Sequence, residues 1–118
     1  MNHPSGPEQC LRDCAECALI CTKCSHHCLG MGGEHAGQEH QNAMRDCADV
    51  CGLAVCFMAR ESRHAEHICA ECAEICRACA ESCERLADGD EMMTRCAQAC
   101  RRCAESCRQM AGAGGVGR

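Results

Sequence analysis

The chain has 118 residues, enough for one ordinary domain, with a net charge of −5, eighteen cysteines, Phe57 as its one aromatic residue and neither Trp nor Tyr. Leu, Ile, Val and Phe together number twelve, about half the share that a self-sufficient apolar core uses, so other side chains must fill the interior, and free Cys is a small, readily buried hydrophobe. No run of about 18 apolar residues exists, which excludes a transmembrane helix, while an acidic chain without stacking aromatics argues against nucleic acid as partner and leaves Arg101-Arg102 as a solvated face.

At the N-terminus, Met1 to Glu8 lacks the basic and apolar regions of a secretion signal, so the chain is expected in the cytosol, where thiols stay reduced. Ser5-Gly6-Pro7-Glu8 reads as a capping box with proline in the first turn, opening a helix over about 6–29 that Gly30-Met31-Gly32-Gly33 ends. Its thiols, Cys10, Cys14, Cys17, Cys21, Cys24 and Cys28, alternate between steps of three and four. At about 100° per residue they fall within an arc of roughly 80°, a single sulfur stripe on one helix face.

A second helix is predicted over about 35–60. Its seam holds His40, Met44, Cys47, Cys51, Ala54 and Met58, but Cys56 projects roughly 155° away from it on a regular helix. Two readings stay open: Cys56 lies outside, or a π-bulge near Gly52 turns it inward, since 51 to 56 is an i,i+5 step. Val50, Leu53 and Phe57 form a second stripe for packing on a neighbouring helix or subunit. Ser62 is the expected N-cap of a third helix over about 63–87, with Cys69, Cys72, Cys76, Cys79 and Cys83 in register. Asp88-Gly89-Asp90 closes it and caps a fourth, about 91–111, carrying Cys96, Cys100, Cys103 and Cys107; residues 112–118 read as a flexible Gly-rich tail. Short links between long helices favour an all-α, up-down antiparallel four-helix bundle spanning residues 1–111 as a single domain, with the sulfur stripes inward.

Thiols that only fill space could be Ala or Val without oxidation risk. A disulfide framework is disfavoured because i,i+4 cysteines point in parallel and the cytosol would reduce bridges between helices. Iron–sulfur ligands sit on loops in Cys-x-x-Cys-x-x-Cys runs followed by Cys-Pro, and no Cys-Pro occurs here. Metal storage remains, and charge selects the metal. Each thiol that binds loses its proton. Tetrahedral Zn²⁺ sites of four thiolates each carry a net charge of about −2, which a dry interior disfavours. Cu(I) replaces one proton with one positive charge and suits soft thiolates. Pairs such as Cys10 with Cys14, Cys17 with Cys21, Cys72 with Cys76 and Cys103 with Cys107 are candidate two-sulfur sites, giving about nine ions without bridging and about 18 if every thiolate bridges.

Extending the seams to one end of the bundle reaches Met31, His40, Met44 and Met93, with Met92 beside it, softer neutral ligands suited to a mouth through which Cu(I) passes. At the other end only Met58 and Met110 lie on the seam, His64 and His67 lie near it, and His26 and His27 read as surface residues. Two rivals stand beside the copper reading: a zinc- or cadmium-sequestering thiolate protein, which would draw four-thiolate layers from four helices, and a thiol redox buffer, which would need an activated, accessible thiolate.

With the stripes in place, residues 6 to 111 resemble the copper storage proteins, cysteine-lined four-helix bundles whose helices carry the Cys-x-x-x-Cys-x-x-Cys phase, and the chain is similar to their cytosolic bacterial branch. The resemblance implies several Cu(I) ions along the axis, held by the in-register cysteines, with His and Met at the open end. It also implies a homotetramer. The expected protein is a non-catalytic Cu(I) store, with copper chaperones or apo-cuproenzymes as candidate partners. Cys56 departs from the phase.

Overall fold

The computed structural model describes residues 6–116, with side chains through Gly112. The helices are α1 (Gly6–Met31), α2 (Gln38–Ala59), α3 (Ala65–Ala87) and α4 (Glu91–Val116), with a 3₁₀ turn, Gly33–Ala36, before α2. α1 packs on α2 and α4, and α3 packs on the same two, so the helices form a ring in chain order. Contacts such as Cys10 with Cys107 and Cys21 with Cys96, or Cys51 with Cys72, show neighbours running antiparallel. Among the described residues, no helix is long and apolar enough to cross a membrane.

The connections follow local chemistry. α1 ends where Gly32 and Gly33 take φ of 74° and 56°, a region open to glycine without steric cost. The 3₁₀ turn and extended Gly37 then separate α1 from α2, so the helix expected from residue 35 starts at Gln38. Ser62 is not the N-cap of α3: its hydroxyl accepts the His64 N–H at 3.0 Å, while Ala65 N–H donates to Ser62 O, a turn that delays α3 to Ala65. Asp88 takes the left-handed conformation after α3, and Asp90 accepts the Met93 N–H at 2.9 Å, the N-terminal cap of α4. α4 continues to Val116, through most of the segment expected as a tail; residues 117–118, and Ser5 of the expected capping box, lie outside the described residues.

Seventeen cysteines have no exposed surface and form the centre of the core, with Ala54, Ala80, Met44 and Met93. The few larger hydrophobes sit around this centre: Ile20, Val50, Val55, Phe57, Ile68 and Ile75 pack against it from half-buried positions between helices. Thiols on the axis and aliphatics in the grooves account for an ordered bundle with so low an aliphatic content. Exposed ion pairs, such as the two-point contact of Arg101 on Glu84 between α3 and α4, contribute little by comparison.

Candidate metal centre

The thiols form an almost continuous column. Near the start of α1, Cys107 Sγ lies 3.6 Å from Cys10 and 3.4 Å from Cys14, and Cys14 lies 3.5 Å from Cys103. Cys51 carries the column on, at 3.7 Å from Cys103, 3.6 Å from Cys72 and 3.5 Å from Cys76. Cys47 lies 3.5 Å from Cys76, 3.6 Å from Cys17 and 3.8 Å from Cys100. Cys21 is 3.5 Å from Cys100 and 3.7 Å from Cys96. Beyond it Cys24 lies 4.0 Å from Cys28, and Cys28 lies 3.5 Å from Nε2 of His40. Cys69, Cys79 and Cys83 are fully buried beside these.

Periodicity alone suggests pairs along one helix, and Cys17 with Cys21 and Cys72 with Cys76 do meet, at 3.8 and 3.7 Å. Most close contacts, however, cross between helices. Groups of four thiols whose sulfurs all lie within 4.8 Å recur along the axis: Cys14, Cys72, Cys103 and Cys107; Cys17, Cys47, Cys51 and Cys76; Cys17, Cys21, Cys47 and Cys100; Cys21, Cys79, Cys96 and Cys100; Cys51, Cys72, Cys76 and Cys103. Each draws on three helices, so the expectation that a four-thiolate site needs all four is corrected. The groups overlap, and Cys17, Cys21, Cys47, Cys51, Cys72, Cys76, Cys100 and Cys103 each belong to at least two. Such sulfurs are placed to bridge.

The acidity of these thiols follows from their packing. Burial, the largest cause, raises Cys28. Cys69 is pushed from 9.0 to about 12, first by its contact with the Cys10 thiol and then by burial. Within the column neighbours act on one another: S–H groups beside Cys14, Cys10 first, would hold a thiolate there and draw it to about 2, whereas Cys10 is raised, chiefly by Cys107. A proton kept by one sulfur stabilises the charge on the next, and every further thiolate meets the charge already present. A cation that replaces the proton removes that obstacle.

Cys56 is exposed on a regular α-helix, so the inward π-bulge is corrected: it does not join the column, because its helical phase faces solvent. The histidine and methionines at the other end sort themselves by burial. His40 is 1% exposed, Met44 and Met93 have no exposed surface, and Met92 is half-buried. Met31 is 43% exposed and stands apart, because α1 ends at this residue and Gly32 turns the chain away. At the opposite end Met58 is buried and Met110 half-buried, while His64 and His67 are exposed. His26 is exposed, and His27 pairs with Asp90 at 2.9 Å.

Polar residues without a periodic signal complete this arrangement. Nδ1 of His40 is 2.7 Å from Ser82 Oγ on α3, and the His35 ring meets the His40 ring edge-on at 6.3 Å. His35 Nε2 is 3.0 Å from Leu86 O, and Gln41 donates to Ser25 O and His35 O, so the link between α1 and α2 is tied to three helices. At the far end the carboxylate of Asp13 accepts from Gln9 at 2.8 Å and from the Ser106 hydroxyl. Burial lowers the basicity of His40 and so favours its neutral imidazole. A pocket of about 160 Å³ lined by Glu34, Gly37, Gln38, Glu39, His40, Arg85 and Leu86 opens at this end, so His40 stands between solvent and the first sulfurs.

Comparison with known proteins gives the same fold and cysteine-rich character. A family described as copper storage protein matches residues 4–112. The crystal structure of the Nmul_A1745 protein from Nitrosospira multiformis superposes with a TM-score of 0.85 at 42% identity, covering 91% of this chain and 95% of that one. The Cu(I)-bound copper storage protein BsCsp3 gives 0.79 at 38% identity over 86% of this chain and 94% of that one; the apo form of copper storage protein 3 from Bacillus subtilis gives 0.77 at 39% over 88% and 97%. An uncharacterized cysteine-rich protein of Bacillus subtilis, YhjQ, is 40% identical over 67 residues, a match that spans 57% of this chain and 62% of that protein. Matched by the family model over nearly its whole length and sharing its fold with a copper storage protein, the chain belongs to the copper storage protein family.

Proposed function

We propose that this protein stores Cu(I) as thiolate-bridged clusters along its axis, with no catalytic step of its own. The observation that carries the reading is the sharing of sulfurs: four-thiol groups overlap through at least eight common cysteines in a core closed to water. Tetrahedral Zn²⁺ ions would fit the local spacing, since Zn–S bonds of about 2.3 Å place sulfurs about 3.8 Å apart, but sites of four thiolates around Zn²⁺ leave net negative charge in a dry core, even where a thiolate is shared between two ions. Cu(I) with two or three bridging thiolates uses shared sulfurs and keeps the buried charge near zero. The ligands in this reading are the seventeen buried cysteines with His40, Met44 and Met93 at the mouth; burial in an otherwise apolar core argues against a redox buffer, because such thiols are inert to solvent oxidants.

Free thiols in this number suit a reducing compartment, and the cytosol is the proposed location. The proposed assembly is a homotetramer through exposed apolar positions such as Leu19 and Leu53, and Cu(I) passes to and from soluble chaperones or copper enzymes. Anaerobic titration of the reduced protein with Cu(I) against a chromophoric chelator tests the reading. Retention of more than about ten ions per chain with unchanged helicity requires bridging thiolates. Retention of only one or two ions, or preference for about four Zn²⁺, sinks it and moves the zinc or redox reading ahead.

A further inference from the structure

His40 faces a sulfur with one ring nitrogen and a hydroxyl with the other. Its Nε2 lies 3.5 Å from Cys28 Sγ, its Nδ1 lies 2.7 Å from Ser82 Oγ, and the ring is 1% exposed, so water does not compete for either nitrogen. A neutral imidazole carries one proton, and its position decides what the other nitrogen can do. With the proton on Nε2, the ring donates toward Cys28 and offers no lone pair to a cation at the mouth. With the proton on Nδ1, the ring donates to Ser82 and the Nε2 lone pair faces Cys28, where an ion arriving from the pocket would meet an imidazole and a thiol together.

We propose that Ser82 is a positioning residue for Cu(I) uptake: its hydroxyl accepts the Nδ1–H of His40 and so holds Nε2 open toward Cys28. This rests on the reading of His40 as a ligand at the mouth. Among the described residues, the Ser82 hydroxyl is the group that lies against Nδ1. The edge-on His35 ring fixes the plane of His40 but has its own Nε2 engaged with Leu86 O, and Ser82 reaches across from α3 to a histidine on α2. Ser82 lies one residue before Cys83 and outside the sulfur phase, so it contributes no donor to the column.

The test compares Ser82→Ala, Ser82→Thr and His40→Ala for the rate of Cu(I) uptake from a Cu(I)–chelator complex, for total copper retained, and for the ¹⁵N shifts of the His40 ring in the apo protein. Loss of a partner that orients a ligating histidine typically weakens binding about 10- to 100-fold. Ser82→Ala is therefore expected to slow uptake by about tenfold or more with total copper unchanged, Ser82→Thr to restore the rate. The ring should be protonated at Nδ1 in the parent and at Nε2 in Ser82→Ala. If His40→Ala takes up copper at the parent rate, the mouth reading fails and the proposal with it. If His40→Ala is slow but Ser82→Ala matches the parent, or the ring keeps its proton on Nδ1 without the hydroxyl, the positioning role alone is overturned.

Discussion

Cys76 Sγ on α3 stands 3.5 Å from Cys51 Sγ on α2, and at the same distance from Cys47, one turn along α2. One thiol thus joins two successive levels of the column, and α2, poorest in cysteines, is linked through it. Cys76 belongs to at least two four-thiol groups. Cys76→Ala is expected to lower the Cu(I) capacity by about two ions, whereas Cys56→Ser leaves it unchanged. Metal analysis of desalted, saturated variants checks both; equal losses would show that exposed and axial sulfurs contribute alike.

Exposure predicts reactivity in the same way. Cys56 is the one exposed thiol of the eighteen. Brief alkylation of the native, reduced, metal-free protein should add one label, found by peptide mass spectrometry at Cys56, and denaturant should release the rest. Rapid labelling of several cysteines under native conditions would mean that the column opens readily to solvent.

Met44 has no exposed surface and is among the largest side chains in a core made mostly of small ones. Met44→Ala should destabilise the apo bundle by about 2–5 kcal/mol, because neighbours as small as cysteine cannot close the space. Urea unfolding followed by circular dichroism reads this as a lower midpoint with an unchanged slope.

The apo protein should lose stability at alkaline pH. Cys69 titrates at about 12 when folded against 9.0 ordinarily, and Cys28 is raised as well, so the folded state holds protons that the unfolded chain gives up. The stabilisation is therefore complete below pH 9.0 and falls away as pH rises toward about 12. His40 has the opposite sign: its basicity is lowered from 6.5, so its contribution is present above that value and declines as pH falls below it. Thermal unfolding across pH should show both flanks, and copper, having displaced the thiol protons, should flatten the alkaline one.

The Ser106 hydroxyl and Gln9 satisfy the carboxylate of Asp13 at the end of the column opposite His40. Ser106→Ala should cost about 1–3 kcal/mol in the apo form, because it leaves part of a largely buried carboxylate without a donor, and Cu(I) capacity should not change. Paired urea and copper titrations separate the two effects.

Local pattern was enough for the helices and the identity of the core, because steps of three and four confine a side chain to one face of a helix whatever surrounds it. The same phase argument put Cys56 outside unless the helix bulged, and α2 is regular. Helix boundaries were less legible: Ser62 has the chemistry of a cap, yet the turn it forms with His64 and Ala65 places the first turn of α3 later. Met31 follows Cys28 in phase, but phase has no consequence for a residue where its helix ends.

Sequence by itself determined that seventeen thiols face one axis, and through proton-for-cation exchange that a monovalent soft metal suits them, because both follow from periodicity and charge. Only the tertiary structure decided which sulfurs meet. Whether Cys14 touches Cys10 on its own helix or Cys107 on another depends on how far α4 slides along α1, and the stagger of the helices sets Cys107 closest, at 3.4 Å. The same stagger brings Ser82 to within 2.7 Å of His40, forty-two residues away, a contact that no local spacing encodes.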